Sequence, residues 1–349
     1  MNIVEQNKRI EWIDILKGIA IISVIVGHRT WISYGIAPAV LKIWIYSFHI
    51  PLFFFLSGYT FSIKGNITFG KFLLKKVKTI LIPMVFFSIV SILANYGFYS
   101  ILLKNKGRNP KVIIEGLLGI ILQKRSGACS GALWFLACLF VAEIIMYAIV
   151  RLAKNNIKII TLLIVISFCI GMAWIKLTNI LLPWDVEIAF VAVLFIGFGY
   201  LAKQFLSKSN INRWLCLIFF TVNISVALVN FYISKKTAVD MANDIFGNPA
   251  LFVVSAFSAI MGFVALFKNI KGTKWINYIG RNSLIYYGLC DLMLIIPEII
   301  IYNIIHLNIK AMGNWSVFVG FAIAAIVCIC IYPISLFINK KMPFVLGKF

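Results

Sequence analysis

The chain has 349 residues, 62% of them hydrophobic and 13% charged, with a formal net charge of +22. A soluble domain carries about 25% charged residues, so the composition excludes an ordinary soluble protein and points to a polytopic membrane protein. The charge does not mark a nucleic-acid partner, because Lys and Arg punctuate apolar runs instead of forming one stripe; the positive-inside rule predicts that pattern for short cytoplasmic loops.

Apolar runs of about 20 residues mark membrane spans. Ten are expected, over 12–33, 43–62, 79–103, 131–150, 157–177, 186–204, 213–233, 250–268, 276–301 and 315–338. With the N-terminus in the cytoplasm, inner segments hold 20 basic residues and outer segments 12. The expected fold is therefore an all-α polytopic membrane protein with about ten transmembrane helices. Both termini are expected in the cytoplasm, and 1–349 is expected to form one integral-membrane domain.

Lys8 and Arg9 before the first apolar run give it the look of a signal peptide. The run is long, carries Lys17 and His28, and its small-residue stretch near Ala37 is followed by Pro38. It reads as a retained first span. The eleven steps from Lys17 to His28 turn a helix by about 1100°, about 20° past three full turns, so both side chains share one face about 16 Å apart. Asp14 falls within about 40° of the His28 direction and about 21 Å from it along the axis, too far to orient that imidazole. Pairing of Asp14 with Lys17, three residues on, is expected instead. An ionisable stripe inside a membrane helix avoids lipid and marks a functional site by default.

The second span places His49 two residues before Pro51, where the helix is expected to kink or break. His49 is either a partner of His28, a ligand for a substrate hydroxyl, or a cap on the backbone that Pro51 frees. Lys71, Lys75, Lys76 and Lys78 form a basic run on the inner side before span three. The segment 104–130 is a long basic outer loop, and 112–122 within it has the pattern of an interfacial helix. Glu143 lies inside span four. In span nine, Tyr287 and Asp291 are four residues apart and Asn282, Tyr286 and Cys290 repeat at the same spacing, which turns that helix toward the bundle. Either acid, Glu143 or Asp291, is a candidate to orient an imidazole or to neutralise Lys17. Trp134 and Trp184 read as packing or interface-belt residues on which a sugar ring could stack. His306 reads as a surface residue of an outer connection. The seven scattered cysteines form no C-x-x-C pair and read as small buried hydrophobes; with three histidines in all, no metal site is expected.

The series Arg9, Trp12, Asp14, Lys17, Gly18, Ala20, Val24, Gly27 and His28 resembles the opening motif of the integral-membrane acyltransferase family 3. Ser47, His49, Pro51, Ser57, Gly58 and Tyr59 resemble the second-span motif of its fucose 4-O-acetylase-like branch. Weaker matches follow at Lys75, Lys76, Lys78 and Pro83; at Leu133 to Leu136; at Leu182 to Trp184 with Gly197, Gly199 and Tyr200; and at Ile279 to Leu284 with Tyr286. The resemblance covers nearly the whole chain. One departure stands out: Cys290 and Asp291 lie where family members often carry a histidine, so that histidine's role is absent here or has passed to Asp291.

The resemblance implies O-acyl transfer from acetyl-CoA, as co-substrate and without a metal, to a hydroxyl of a cell-surface glycan or lipid-linked sugar precursor. Such chemistry needs a base for the hydroxyl proton, a donor for the oxyanion and a basic mouth for CoA phosphates. His28 is the expected base, with His49, Asp291 and Glu143 as further catalytic candidates. Lys17, Asp14, Lys75, Lys76, Lys78, Asn282 and Tyr286 are the candidates for binding the donor. The expected partners are a carbohydrate or lipid-linked sugar acceptor and membrane lipid, with room for a homodimer. The expected location is a bacterial cytoplasmic (inner) membrane. Direct transfer and a transient acyl-histidine both remain open. The competing readings are a non-enzymatic membrane transporter of a sugar or lipid-linked intermediate and a polysaccharide polymerase. No internal repeat is visible to favour the first, and the 104–130 loop has only isolated Arg108 and Arg125 where a polymerase would be expected to pair arginines.

Overall fold

The structure, a computed structural model, describes residues 9–30, 32–63, 65, 67–102, 111–123, 133–178, 180–207, 209, 211–235, 237–270 and 273–348. Among these the secondary structure is helical, with one isolated antiparallel bridge between Asp240 and Ile245. The helices are α1 (Glu11–His28), α2 (Ile36–Thr60), α3 (Phe69–Lys76), α4 (Ile82–Leu102), α5 (Lys111–Leu122), α6 (Trp134–Leu152), α7 (Ile157–Thr178), α8 (Val186–Leu206), α9 (Leu215–Ile233), α10 (Pro249–Phe267), α11 (Lys274–Arg281), α12 (Ser283–Met293), α13 (Ile295–Glu298) and α14 (Ser316–Lys341). Nine helical stretches among the described residues are long and apolar enough to cross a membrane. The remaining expected span, α1, is 18 residues long and includes Glu11, Asp14 and Lys17. It packs against α2, α11, α12 and α14, which keeps its ionisable stripe off lipid.

Two crossings set the position of the central helices. Gly18 of α1 faces the Ile276 carbonyl of α11, and Gly280 of α11 faces the Asp14 carbonyl of α1; a Cβ at either position would overlap backbone. Gly58 of α2 and Gly199 of α8 make the same reciprocal approach, onto the Ile196 and Phe55 carbonyls. Small residues let membrane helices come within backbone contact, where dispersion replaces the missing hydrophobic drive. Gly18, Gly58, Gly199 and Gly280 of the matched motifs are thereby explained as packing residues.

Three expectations about the spans need correction. Span nine is not one helix from 276 to 301: the chain breaks at Asn282 (φ −108°, ψ 20°) between α11 and α12. The Asn282 side chain fills the break, donating to the Tyr278 carbonyl (2.9 Å) and accepting from Asn339 of α14 (2.7 Å). Span two runs unbroken through Pro51. The proline cannot donate to the Ser47 carbonyl four residues back; one turn earlier, Ser47 Oγ donates to Trp44 O and His49 Nδ1 lies 2.8 Å from Ile45 O. Span three begins earlier than expected, as α3 runs into a π-helical turn over Val77–Leu81 before α4. Pro83 has no N–H to give the ladder there, and a π turn shifts the register around it.

The interfacial segment expected over 112–122 forms α5, packed on α4 with Gly116 against Ile92. The flanking basic residues Lys104, Lys106, Arg108, Lys124 and Arg125 lie outside the described residues, as do Lys8 and Cys129. His306 is exposed, and the six cysteines among the described residues form no disulfide.

Candidate active site

Three helices carry polar side chains at two depths. On α1 these are Lys17 and His28; on α2, Ser57 with Thr60, and His49 with Tyr46; on α12, Ser283 and Asp291. At the deeper level toward the lysine-rich end lies a cavity of about 160 Å³, lined by Lys17, Ser57, Thr60, Ser283, Tyr287 and four apolar neighbours besides Phe53. At the opposite level lies a cavity of about 390 Å³, walled by His28, Arg29, Tyr46, His49, Trp134, Asp240, Asn243, Tyr287 and Asp291 among others. A volume of that size is within the range of small-molecule sites, roughly 300–1,000 Å³.

His28 sits at the last residue of α1, half-buried, with Nδ1 3.5 Å from Asp291 Oδ1. That separation is an ion-pair distance, long for a hydrogen bond, and such contacts commonly shorten once substrate is bound. A carboxylate beside Nδ1 favours the tautomer with its proton there and leaves the Nε2 lone pair free. His49 is buried, and its Nδ1 reaches the Ile45 carbonyl. A carbonyl accepts only, so Nδ1 carries hydrogen, and in the neutral imidazole Nε2 is then an acceptor. His49 therefore offers a lone pair to the cavity and no proton to an oxyanion. This bond goes to Ile45 O and not to the Ser47 carbonyl that Pro51 leaves without its N–H, so it is not the expected cap on the backbone freed by Pro51.

The mouth of the larger cavity is built by a short connection the sequence did not flag. Asn230 of α9 donates to Phe246 O (3.0 Å) and accepts from Asn248 N (2.8 Å), while Asp240 and Ile245 exchange backbone hydrogen bonds. Asp244 and Gly247 take left-handed φ of 57° and 64° to close this turn. Asp240 then accepts from Ala242 N (3.0 Å) and Asn243 Nδ2 (2.8 Å), and the four residues 240–243 face His28 and Asp291 across the cavity. No helical period runs through a loop, so only Tyr46, three residues before His49 on one helix face, carried a signal in the sequence. Arg29, next to His28, is locked to Glu298 of α13 at 2.5 Å, which ties the end of α1 to the helix that follows Asp291.

The other candidates divide. Lys17 lines the smaller cavity. Glu143 does not orient an imidazole: it accepts from Ser57 Oγ (2.7 Å) and pairs with Lys76 Nζ (2.5 Å), behind the wall of that smaller cavity. Asp14 does not pair with Lys17; Arg9 (2.7 Å) and Arg281 (3.4 Å) hold its carboxylate, because Gly18 and Gly280 bring α11 and its arginine against that turn of α1. Lys75 is exposed and Lys78 half-buried at the same end. Tyr286 turns away from both cavities, its hydroxyl 3.4 Å from the Cys328 carbonyl of α14, and Asn282 is spent on the helix break; the neighbouring Tyr287 faces the cavities instead. Trp134 lines the larger cavity, whereas Trp184 packs on Phe140. Among the described residues no group of three or more His, Cys, Asp or Glu is arranged to hold a metal ion.

Residues 10–333 match a family model described as an acyltransferase domain. No curated protein and no solved structure matches the chain.

Proposed function

The chain belongs to acyltransferase family 3, and from that premise we propose that it is a membrane O-acetyltransferase that moves acetyl from cytoplasmic acetyl-CoA to a hydroxyl of a glycan or lipid-linked sugar. The observation that carries this reading is the His28–Asp291 pair at 3.5 Å in the larger cavity. In the proposed reaction His28 Nε2 takes the acceptor's hydroxyl proton as that oxygen attacks the thioester carbonyl. Collapse of the tetrahedral adduct breaks the C–S bond, and the imidazolium returns the proton to the departing sulfur. Asp291 holds the tautomer and stabilises the imidazolium, as the acid of a catalytic triad does. His49 Nε2 accepts a hydrogen bond from a neighbouring acceptor hydroxyl. Trp134 and the polar edge at Asp240 and Asn243 suit a sugar, which has apolar ring faces and many hydroxyls.

Lys17 suits the donor as a point charge with three N–H groups, and the basic residues clustered at its end of the bundle suit the CoA phosphates and a cytoplasmic orientation. The resemblance of the Ser47–Tyr59 series around His49 to the fucose 4-O-acetylase-like branch supports acetyl as the group and a sugar as the acceptor. The test is transfer of label from acetyl-CoA to the surface-glycan fraction in membranes. Label with the wild type and none with His28→Ala supports the reading; equal labelling removes His28 from the mechanism.

A further inference from the structure

The two cavities share one wall residue, Tyr287. Its neighbours along each helix sort to opposite sides. On α12, Ser283 and Leu284 lie on the Lys17 side and Asp291 on the His28 side. On α2, Phe53 and Ser57 lie on the Lys17 side and His49 and Ile50 on the other; on α6, Phe135 and Trp134 divide the same way. Between the levels the rings close on one another: Tyr287 is 5.5 Å from Phe135 and 6.3 Å from Phe53, and those two are 5.6 Å apart, centre to centre. Tyr287 is 5% exposed. By the rise per residue, the polar levels are about 12 Å apart on α2 (His49 to Ser57) and α12 (Ser283 to Asp291) and about 16 Å apart on α1 (Lys17 to His28).

We infer that Tyr287, closing a triangle with Phe53 and Phe135, is the partition between a donor chamber and an acceptor chamber, and the residue that limits the size of the acyl group transferred. This rests on the acyl-transfer reading above. A thioester held from the Lys17 side must bring its carbonyl past the three rings to meet a hydroxyl at His28. A two-carbon acyl group passes with a small ring displacement, while each further methylene needs room that close-packed aromatic rings do not leave. The same seal keeps water on the His28 side from the donor.

The test uses the full chain in sealed vesicles of both orientations. Leu139→Cys puts a thiol in the smaller cavity, and a membrane-impermeant thiol reagent is added to one side at a time, with labelling at that position read by peptide mass spectrometry. With Tyr287 present, the reagent added from the His28 side leaves the thiol unlabelled; with Tyr287→Ala it labels, and with Tyr287→Phe, which keeps the ring, it does not. Phe53→Ala provides a second opening in case Tyr287→Ala does not fold. Transfer from acetyl-, butyryl- and hexanoyl-CoA is compared in the same variants. Opening the partition raises longer-chain transfer relative to acetyl, by roughly 10-fold or more per methylene admitted.

Labelling from the His28 side that is the same with and without the ring, whether present or absent, overturns the partition. An unchanged acyl preference in both opened variants overturns the size limit. If no acyl-CoA supports transfer even in the wild type while the labelling follows the ring, the acyltransferase reading fails and the partition stands.

Discussion

His28 on α1 and Asp291 on α12 meet at 3.5 Å, Nδ1 to Oδ1, although the helix break at Asn282 and the first turns of α12 separate Asp291 from the crossing of α11 with α1. Their meeting depends on Gly18 and Gly280, which let α11 press onto α1, and on Asn282, which redirects the chain into α12.

If Asp291 sets the tautomer of His28, Asp291→Asn leaves the shape of the site intact but removes the charge. Acetyl transfer then falls by about 10²–10⁴-fold, the range a general base supplies. His28→Ala falls at least as far, and the double variant is no worse than His28→Ala alone. Initial rates with labelled acetyl-CoA, normalised to protein in the membrane, check this. A near-wild-type rate for Asp291→Asn would detach it from the mechanism.

His49→Asn keeps an N–H for the Ile45 carbonyl and loses the Nε2 acceptor. The KM for the acceptor should rise about tenfold, the equivalent of one lost hydrogen bond, with a smaller change in kcat. A loss in kcat with KM unchanged would make His49 part of the chemistry.

Lys17→Met should raise the KM for acetyl-CoA by roughly 10- to 100-fold, as for a lost hydrogen bond to a charged group, with the acceptor KM unmoved. Lys176→Met, at an exposed position outside the basic cluster, should change either constant little. Steady-state kinetics with each substrate varied in turn separates the two outcomes, and equal effects from both lysines would argue against a specific role for Lys17.

Glu143 and Lys76 are 4% and 16% exposed at the side chain and paired at 2.5 Å. Removing one partner strands the other, so Glu143→Leu or Lys76→Met alone should cost about 3–5 kcal/mol, whereas the combined variant regains most of that. Thermal unfolding in detergent measures it. Activity recovered in the combined variant would establish Glu143 as structural, and activity lost there despite recovered stability would return it to the catalytic set.

Gly280→Ala and Gly18→Ala both force a Cβ onto backbone and should destabilise by about 1–3 kcal/mol. Gly70→Ala, near the start of α3 with nothing within 4 Å of the added carbon, should be neutral or stabilise by roughly 0.5–1 kcal/mol. Equal unfolding midpoints for the three variants would discount the reciprocal crossing.

The class of the fold, close positions for most spans and the Lys17–His28 stripe were legible in the sequence, because each depends on residues within one helix. Apolar length, a fixed rotation per residue and the cost of an ionisable group in lipid are local properties, legible without neighbours. Which acid faces which imidazole was not local. Asp291 and Glu143 looked alike as buried acids in apolar runs, and only the packing of α1, α6 and α12 sent one to His28 and the other to Lys76. The motif resemblance singled out Tyr286, but the rotation of α12 after the break at Asn282 turns Tyr286 to α14 and its neighbour Tyr287 to the cavities. The 240–243 edge came from a loop without periodicity, brought to the site by Asn230 from another helix. Tertiary structure decided these because a contact between helices depends on their relative rotation and crossing, which are set by every residue in the interface together.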